Sequence, residues 1–239
     1  MKAMILAAGR GERLRPITDH TPKPLIKVNG IPLIEHHIIK LAAAGFAEIV
    51  INLAWLGEKI EQYLQDGSRW GVNIRYSREE PHALETAGGI IHALPLLVEQ
   101  QLENWHDEEF LVINGDIYLD YDFSALPGLT GTALANLWLV PNPEHNQQGD
   151  FDLVDDYVSP ISSQQSYTFS GVGLYKARFF TQLVENTVRK DNEIIKLGPS
   201  LKEYAKQGVI KGKLLNNFWT DVGTAERLAQ VNEHVGVKK

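Results

Sequence analysis

Leu6-Ala-Ala-Gly-Arg-Gly-Glu-Arg-Leu-Arg-Pro16, running on to Thr21-Pro-Lys-Pro-Leu25, is the stretch that decides how the rest of the chain is read. It follows an apolar run over residues 2–7 that reads as a buried strand. It therefore lies beyond the carboxyl end of a strand, where open α/β sheets bind ligands. Gly9 and Gly11 let the backbone approach phosphate oxygens and aim N–H groups at them. Arg13 and Lys23 bring the positive charge that a triphosphate needs. Alone, the two glycines suit a mobile basic surface loop; joined to the cations, the flanking prolines and the strand-end position, they point to phosphate. Two common phosphate motifs are excluded. The dinucleotide fingerprint needs a third glycine where Leu14 stands and a helix directly after the turn, and the Walker A loop needs Gly-Lys-Ser/Thr at its end. Pro16, Pro22 and Pro24 instead predict a long irregular loop.

Outward from this loop, short apolar strands alternate with amphipathic helices. A helix is predicted over 32–44, with Pro32 in its first turn and Gly45 as C-cap. Strands follow over 48–53, 72–76 and 109–113, with helices over 57–65 and 86–97 between them. This β-α-β-α-β-α-β order is that of a parallel sheet covered on both faces. Further on, strands are expected over 132–140, 150–154, 166–175 and 209–215, and helices over 177–188, 199–207 and 224–235. They read as the other side of the same sheet. The expected class is α/β: three layers, Rossmann-like, a mixed but mostly parallel sheet with helices on both faces. One domain spans 1–239, with halves of about 1–120 and 121–239.

Composition narrows the function. The chain has 239 residues and a net charge of −7. Nucleic-acid binders carry dense Lys/Arg patches; the only basic cluster here is Lys238–Lys239, read as a solvated tail, so no nucleic-acid partner is expected. Cysteine is absent, which excludes disulfides, thiolate nucleophiles, iron–sulfur clusters and Cys-ligated zinc. No apolar run reaches the roughly 20 residues that span a membrane, and no secretory signal is read, so no membrane partner is expected and cytoplasm is the expected location. His36 and His37 read as packing or surface residues. Trp55, Trp70 and Trp138 read as core or rim, and Trp219 as a neighbour of Asp221.

Two aspartates complete the picture. Asn114-Gly115-Asp116 closes the fourth predicted strand, and Trp219-Thr220-Asp221-Val222-Gly223 precedes the last helix. Either carboxylate suits Mg²⁺, which takes one or two carboxylates plus phosphate oxygens. Each also suits an ordinary role, Asp116 in a turn and Asp221 beside a helix N-terminus.

The ordered motif Leu6-Ala-Ala-Gly-x-Gly-x-Arg-Leu-x-Pro-x-Thr, with Pro22-Lys23-Pro24, resembles the signature of the sugar-nucleotide pyrophosphorylases, which join a nucleoside triphosphate to a sugar 1-phosphate. The resemblance implies a GT-A-like nucleotidyltransferase fold, a nucleotide-binding half near 1–120 and a sugar-binding half near 121–239. It implies that backbone at Leu6, Ala7, Ala8, Gly9 and Gly11 holds base and phosphates. Arg13 then meets the triphosphate, Lys23 the reacting phosphate, and Asp116 and Asp221 share Mg²⁺. Glu12 stands where many relatives carry Ser or Thr. The base-contacting segment maps onto Leu84-Glu85-Thr86-Ala87-Gly88, with Glu85 in place of the usual glycine and Gly88 retained.

Over nearly the whole chain the pattern is similar to one branch of that family, the N-acetylmuramate 1-phosphate uridylyltransferases of bacterial cell-wall recycling. The residues that carry this are Asn142-Pro-Glu-His-Asn-Gln-Gln-Gly-Asp-Phe151, Glu85-Thr86 and Phe169-Ser-Gly-Val-Gly173. This implies UTP as donor and places Asn142, Asp152, Ser170 and Gly171 near the sugar. Many relatives carry a Glu-Lys pair in the second half, yet no Lys or Arg stands between Val140 and Tyr175. Lys196 is therefore assigned to the sugar phosphate; a solvated lysine at a helix start is its ordinary alternative. Other pairs keep the same chemistry: GTP with mannose 1-phosphate, UTP or dTTP with glucose 1-phosphate, CTP with phosphocholine. A non-catalytic nucleotide-binding regulatory subunit tends to lose a cation or a metal carboxylate. Arg13, Lys23, Asp116 and Asp221 are all present here.

Overall fold

The computed structural model describes residues 1–80, 83–163, 165–186 and 195–237. Lys238–Lys239 and the last residues of the helix expected over 177–188 lie outside the described residues. In chain order the strands are β1 (Lys2–Leu6), β2 (Lys27–Val28), β3 (Ile31–Pro32), β4 (Glu48–Leu53), β5 (Asn73–Arg78), β6 (Glu109–Asn114), β7 (Ile117–Leu119), β8 (Ala135–Val140), β9 (Phe151–Val154), β10 (Tyr157–Ser159), β11 (Ser166–Lys176), β12 (Ile210–Leu214) and β13 (Trp219–Asp221). The helices are α1 (Ile17–His20), α2 (Leu33–Ala43), α3 (Gly57–Leu64), α4 (Glu85–Leu97), α5 (Ala177–Asn186), α6 (Leu197–Lys206) and α7 (Ala225–Val237). The class is the expected mixed α/β. Among these helices none is long and apolar enough to cross a membrane.

The chain forms two compact units, both discontinuous. One holds Lys2–Ala83, Ile113–Leu126 and the residues from Asn217 onward; the other holds Leu84–Val112 and Pro127–Asn216. β6 carries the chain from one to the other at Val112–Ile113, and the C-terminal segment returns to the first unit.

In the first unit β5, β4 and β1 lie parallel, with Ile5 opposite Ile51 and Ile51 opposite Tyr76. The middle of β1, Ala3–Ile5, and all of β4 after Glu48 are buried, as continuous apolar runs covered on both faces are. Helix α2 forms because Leu33, Ile34, His37, Ile38 and Leu41 recur at helical spacing and are all buried. Pro32 caps its start, and Gly45, at φ +85, ends the turn that follows it. β7 pairs antiparallel with β13, matching Ile117 to Asp221 and Leu119 to Trp219. Against this ribbon pack Val28, Leu33, Val222 and Val231, with Phe218, Leu228 and Val235 at the margin. β7 and β13 have three residues each, too short to leave a period-two signal.

In the second unit the order is β11-β8-β12-β10-β9. β8 and β12 run parallel and the other pairs antiparallel. Trp138, Tyr175, Phe179 and Phe180 are fully buried, with Tyr175, Phe179 and Phe180 in mutual ring contact. Trp138 is core, as read from sequence. β11 is interrupted: Phe169 pairs with Leu139 and Val172 with Trp138, so Ser170 and Gly171 are extra residues in a bulge. Gly171 takes φ +83 there.

The stretch expected to be irregular is built of short helical turns: Glu12–Leu14, Ile17–His20 and Lys23–Leu25. Proline is compatible with a first helical turn, so prolines that argue against a long helix still allow three short ones.

Gly115 holds the two chain segments together. Its N–H donates to the carbonyl of Leu6 at 2.8 Å, and a Cβ at this position would sit 2.5 Å from that same oxygen. Gly115→Ala is expected to cost about 1–3 kcal/mol of stability, read as a lower midpoint in urea unfolding. An unchanged midpoint would contradict the packing.

Candidate active site

β1 ends at Leu6 and the chain turns into the glycine loop. Gly11 takes φ +69, and a Cβ there would crowd Thr18 and Lys23 at 3.0 and 3.2 Å. Its carbonyl accepts from the Thr18 hydroxyl at 2.9 Å. Around Gly9 a Cβ would meet nothing within 4 Å, so this part of the loop borders open space. Arg10 is not a free phosphate ligand. Its guanidinium lies 3.3 Å from the centre of the Trp55 ring and pairs with Asp19 at 3.1 Å, while the Trp55 indole N–H donates to the Thr18 carbonyl at 3.0 Å. The loop is braced on its own first helix.

Lys23 is buried, with 6% of its surface exposed. Its Nζ donates to Asp116 Oδ2 at 2.6 Å. Asp116 lies just before β7, and its carbonyl accepts from Val222 N–H at 2.8 Å. Asp221, one residue earlier, is matched to Ile117. The two aspartates therefore stand at adjoining positions of one ribbon. Asp221 Oδ1 accepts from Arg227 Nη1 at 2.5 Å, and its Oδ2 is 3.7 Å from Arg13 Nη2. A Cβ on Gly223 would sit 2.5 Å from Arg227 Nη2, 2.9 Å from Arg13 Nη2 and 2.9 Å from Asp221 Oδ2, so the three groups converge above a glycine with no side chain to block them. Within the first unit, then, the structure joins Lys23 to Asp116 and Arg13 to Asp221, through one ribbon and one loop.

Arg227 was not singled out from the sequence. It lies near the start of α7, where the helix dipole disfavours a cation; the signal was an arginine at a helix start, six residues after a candidate metal-binding aspartate.

His37 fixes the ribbon from below. It is buried, and its Nε2 meets the Ile117 carbonyl at 2.9 Å. Burial, reinforced by nearby Lys40, pushes its pKa down to about 3. His36 is also lowered, chiefly by burial. Both are packing residues.

The remaining sequence-derived residues lie in the second unit. Glu85 adopts φ +60, which explains why relatives of its motif carry glycine: the left-handed region costs a Cβ-bearing residue about 1–2 kcal/mol. The N–H groups of Ala87 and Gly88 donate to the Ile195 carbonyl at 3.0 and 3.1 Å, which puts the backbone beside Lys196 at the start of α4; the Lys196 side chain is exposed. The Asn142 carboxamide ties its loop to β11: Nδ2 donates to Ser166 Oγ at 3.1 Å, and Oδ1 accepts from Thr168 Oγ1 at 2.9 Å. Asp152, buried, uses Oδ2 to hold the N–H groups of Ser162 and Ser163 at 2.8 and 2.9 Å. Its Oδ1 is buried with no hydrogen-bond partner. Ser170 and Gly171 form the β11 bulge, a device that re-aims side chains near sites.

Two carboxylates and three cations beside a glycine loop at a strand end define a site for phosphoryl chemistry, and the chain belongs to the Nucleotidyl transferase family, which it matches over residues 2–136. It is a nucleotidyltransferase. It is 48% identical to the N-acetylmuramate alpha-1-phosphate uridylyltransferase of Neisseria meningitidis, over 100% of both chains. It is 30% identical to a UTP–glucose-1-phosphate uridylyltransferase of Synechocystis, over 93% of this chain and 60% of that one. Among solved structures, a Bacillus anthracis protein provisionally classed as a glucose-1-phosphate thymidylyltransferase shares the fold, with a TM-score of 0.81, 23% identity, and 98% and 94% of the two chains covered.

Two outcomes are expected. Arg227→Ala removes the closest counter-charge of Asp221 and lowers kcat/KM at least about tenfold, since charge-assisted hydrogen bonds are worth roughly 1.5–3 kcal/mol. Arg227→Lys recovers only part of this, and wild-type kinetics in the alanine variant would contradict the assignment. For His37, the folded-state pKa lies below the unfolded value of about 6.5. Above pH 6.5 the group adds no pH dependence; as pH falls towards 3 the unfolded chain takes up a proton that the native one refuses, so stability drops. Between pH 6 and 4.5, His37→Gln is expected to flatten the fall in unfolding free energy by up to about 1.4 kcal/mol per pH unit. Parallel curves would contradict a buried neutral His37.

Proposed function

We propose that this chain transfers the uridylyl group of UTP to N-acetylmuramate 1-phosphate, releasing pyrophosphate, in the cytoplasm and as part of cell-wall recycling. The observation that carries the reaction class is the pairing of Lys23 with Asp116 and of Arg13 and Arg227 with Asp221. The substrate pair is supported by the full-length likeness to the Neisseria meningitidis enzyme.

A phosphate oxygen of the sugar 1-phosphate forms the new bond to the α-phosphorus of UTP while the bond from that phosphorus to the bridging oxygen breaks. The electron pair leaves on pyrophosphate. The attacking oxygen is already anionic at neutral pH, so no general base is assigned. Catalysis is then positioning and charge compensation. Lys23, which contacts Asp116, is assigned to the α-phosphate; Arg13, with its side chain mostly exposed, is assigned to the departing pyrophosphate.

The donor set suits magnesium. Asp116 and Asp221 offer hard oxygen ligands, and one or two carboxylates completed by phosphate oxygens and water is the set Mg²⁺ prefers. Asp116 and Asp221 would hold the ion, which would supply charge neutralisation to the phosphates.

Base contacts are assigned to the Glu85–Gly88 turn, the sugar to Ser170 and Gly171, and the sugar phosphate to Lys196. Asn142 and Asp152 are assigned to the sugar side as well: Asn142 ties its loop to β11, and Asp152, in β9, holds the Ser162–Ser163 turn while its Oδ1 has no hydrogen-bond partner.

A panel of UTP, dTTP, GTP and CTP against N-acetylmuramate, glucose and mannose 1-phosphates, and phosphocholine, read by pyrophosphate release, tests the proposal. The fastest turnover is expected with UTP and N-acetylmuramate 1-phosphate; a preference for another pair would reassign the substrate, and no turnover with any pair would favour a nucleotide-binding regulatory protein. Asp116→Asn and Asp221→Asn should each lower kcat by at least about a hundredfold, the scale of losing a preorganised charge at a reacting centre, with unfolding midpoints retained. Normal turnover in either would remove the metal assignment.

A further inference from the structure

The first amide of the glycine loop is not offered to a ligand. Ala7 N–H, directly after β1, donates to Asn52 Oδ1 at 2.8 Å. Asn52 lies near the carboxyl end of β4 and is 3% exposed. Its Nδ2 donates to Glu79 Oε1 at 2.7 Å. Glu79, 4% exposed, follows β5 and anchors its own N–H on the Leu53 carbonyl at 2.9 Å. Three neighbouring parallel strands are thus linked by a chain of buried side-chain hydrogen bonds at the edge from which the loop departs.

The chain has a direction. A carboxamide is symmetric in shape but not in polarity, whereas an ionised carboxylate only accepts. Glu79 therefore dictates that the Asn52 NH₂ faces it and that Oδ1 faces Ala7. Turned the other way, Asn52 would oppose donor to donor at Ala7 and carbonyl to carboxylate at Glu79. Burying a carboxylate is expensive, and an apolar pair of similar volume serves stability as well or better. The neighbouring buried side chains of β1 and β4 are Ala3, Met4, Ile5, Ile49, Val50, Ile51 and Leu53, all apolar. An oriented polar pair here acts on something other than the core.

We infer that Asn52 and Glu79 are positioning residues for nucleotide binding: together they fix the course of the backbone as it leaves β1, and so the aim of the loop amides from Ala8 to Gly11. This rests on the nucleotidyl-transfer reading above and adds to it two buried residues of the sheet edge.

The test exchanges the polarity of the pair. Asn52→Asp sets a second carboxylate beside Glu79. Asn52→Asp combined with Glu79→Gln restores the pattern, since the new carboxylate accepts from Ala7 and the new carboxamide donates to it. UTP binding to the intact chain is measured by calorimetry with Mg²⁺ present, alongside separate KM values for UTP and the sugar 1-phosphate and an unfolding midpoint. Asn52→Asp is expected to weaken UTP binding and raise its KM by on the order of tenfold or more, leaving the KM of the sugar phosphate near wild type. The double variant should recover UTP affinity to within about threefold. Should Asn52→Asp fail to fold, Glu79→Ala, which leaves the carboxamide free to turn, must show the same UTP-selective loss. Equal rises in both KM values, a lowered midpoint with unaltered UTP affinity, or a double variant no better than the single one would each overturn the inference. Calorimetry needs no turnover, so a chain that binds UTP but transfers nothing overturns the reaction and leaves this result readable.

Discussion

Charge balance around two carboxylates is the constraint on which the rest depends. Asp116 and Asp221 stand at adjoining positions of one antiparallel ribbon. A carboxylate taken partly out of water needs a positive partner to stay charged, and each of the two has one. Lys23, Arg13 and Arg227 supply three positive charges against two negative ones, a local sum of +1. That surplus, set beside a glycine loop, is what a triphosphate requires. It resolves the apparent conflict between a chain of net charge −7 and a polyanionic ligand: the cations are few but held in place.

The fold earns this arrangement with backbone geometry. Gly115 lets β1 and the segment before β7 approach within hydrogen-bond distance, Gly223 leaves room for Arg13 and Arg227 over Asp221, and buried His37 holds the β7 carbonyl beneath. Helix α7, packed by Val231 and Leu228 on the ribbon, carries Arg227 to its partner from the far end of the chain. Apolar burial sets the frame; a handful of close approaches that tolerate no Cβ set the site.

Much of this was legible in the sequence. β4 is found at the residues expected, and β1, α2 and α4 within a residue or two at either end, because long apolar or amphipathic runs carry a clear period. Lys23 with Asp116, and Arg13 with Asp221, were legible as candidates through an ordered motif. What escaped has physical reasons. β7 and β13 are too short to show a period, and the helical turns of the glycine loop are too short to leave a helical pattern. The ties from Asn142 to Ser166 and Thr168 of β11 join residues 24 and 26 positions apart, which no local pattern announces. Asn52 and Glu79 lie in or next to strands that read as apolar, and nothing in single-residue chemistry says that two polar side chains 27 positions apart will meet. Glu85 is the converse case: a departure from a glycine pattern in the sequence, explained once its backbone is seen at φ +60.

The most direct measurement is a crystal structure of the chain with UTP and Mn²⁺ in place of Mg²⁺, using anomalous scattering to locate the metal. The account predicts a single strong peak beside the glycine loop, liganded by one oxygen from Asp116, one from Asp221 and phosphate oxygens of the nucleotide. A peak bound to neither aspartate, or nucleotide bound away from residues 6–13, would contradict it.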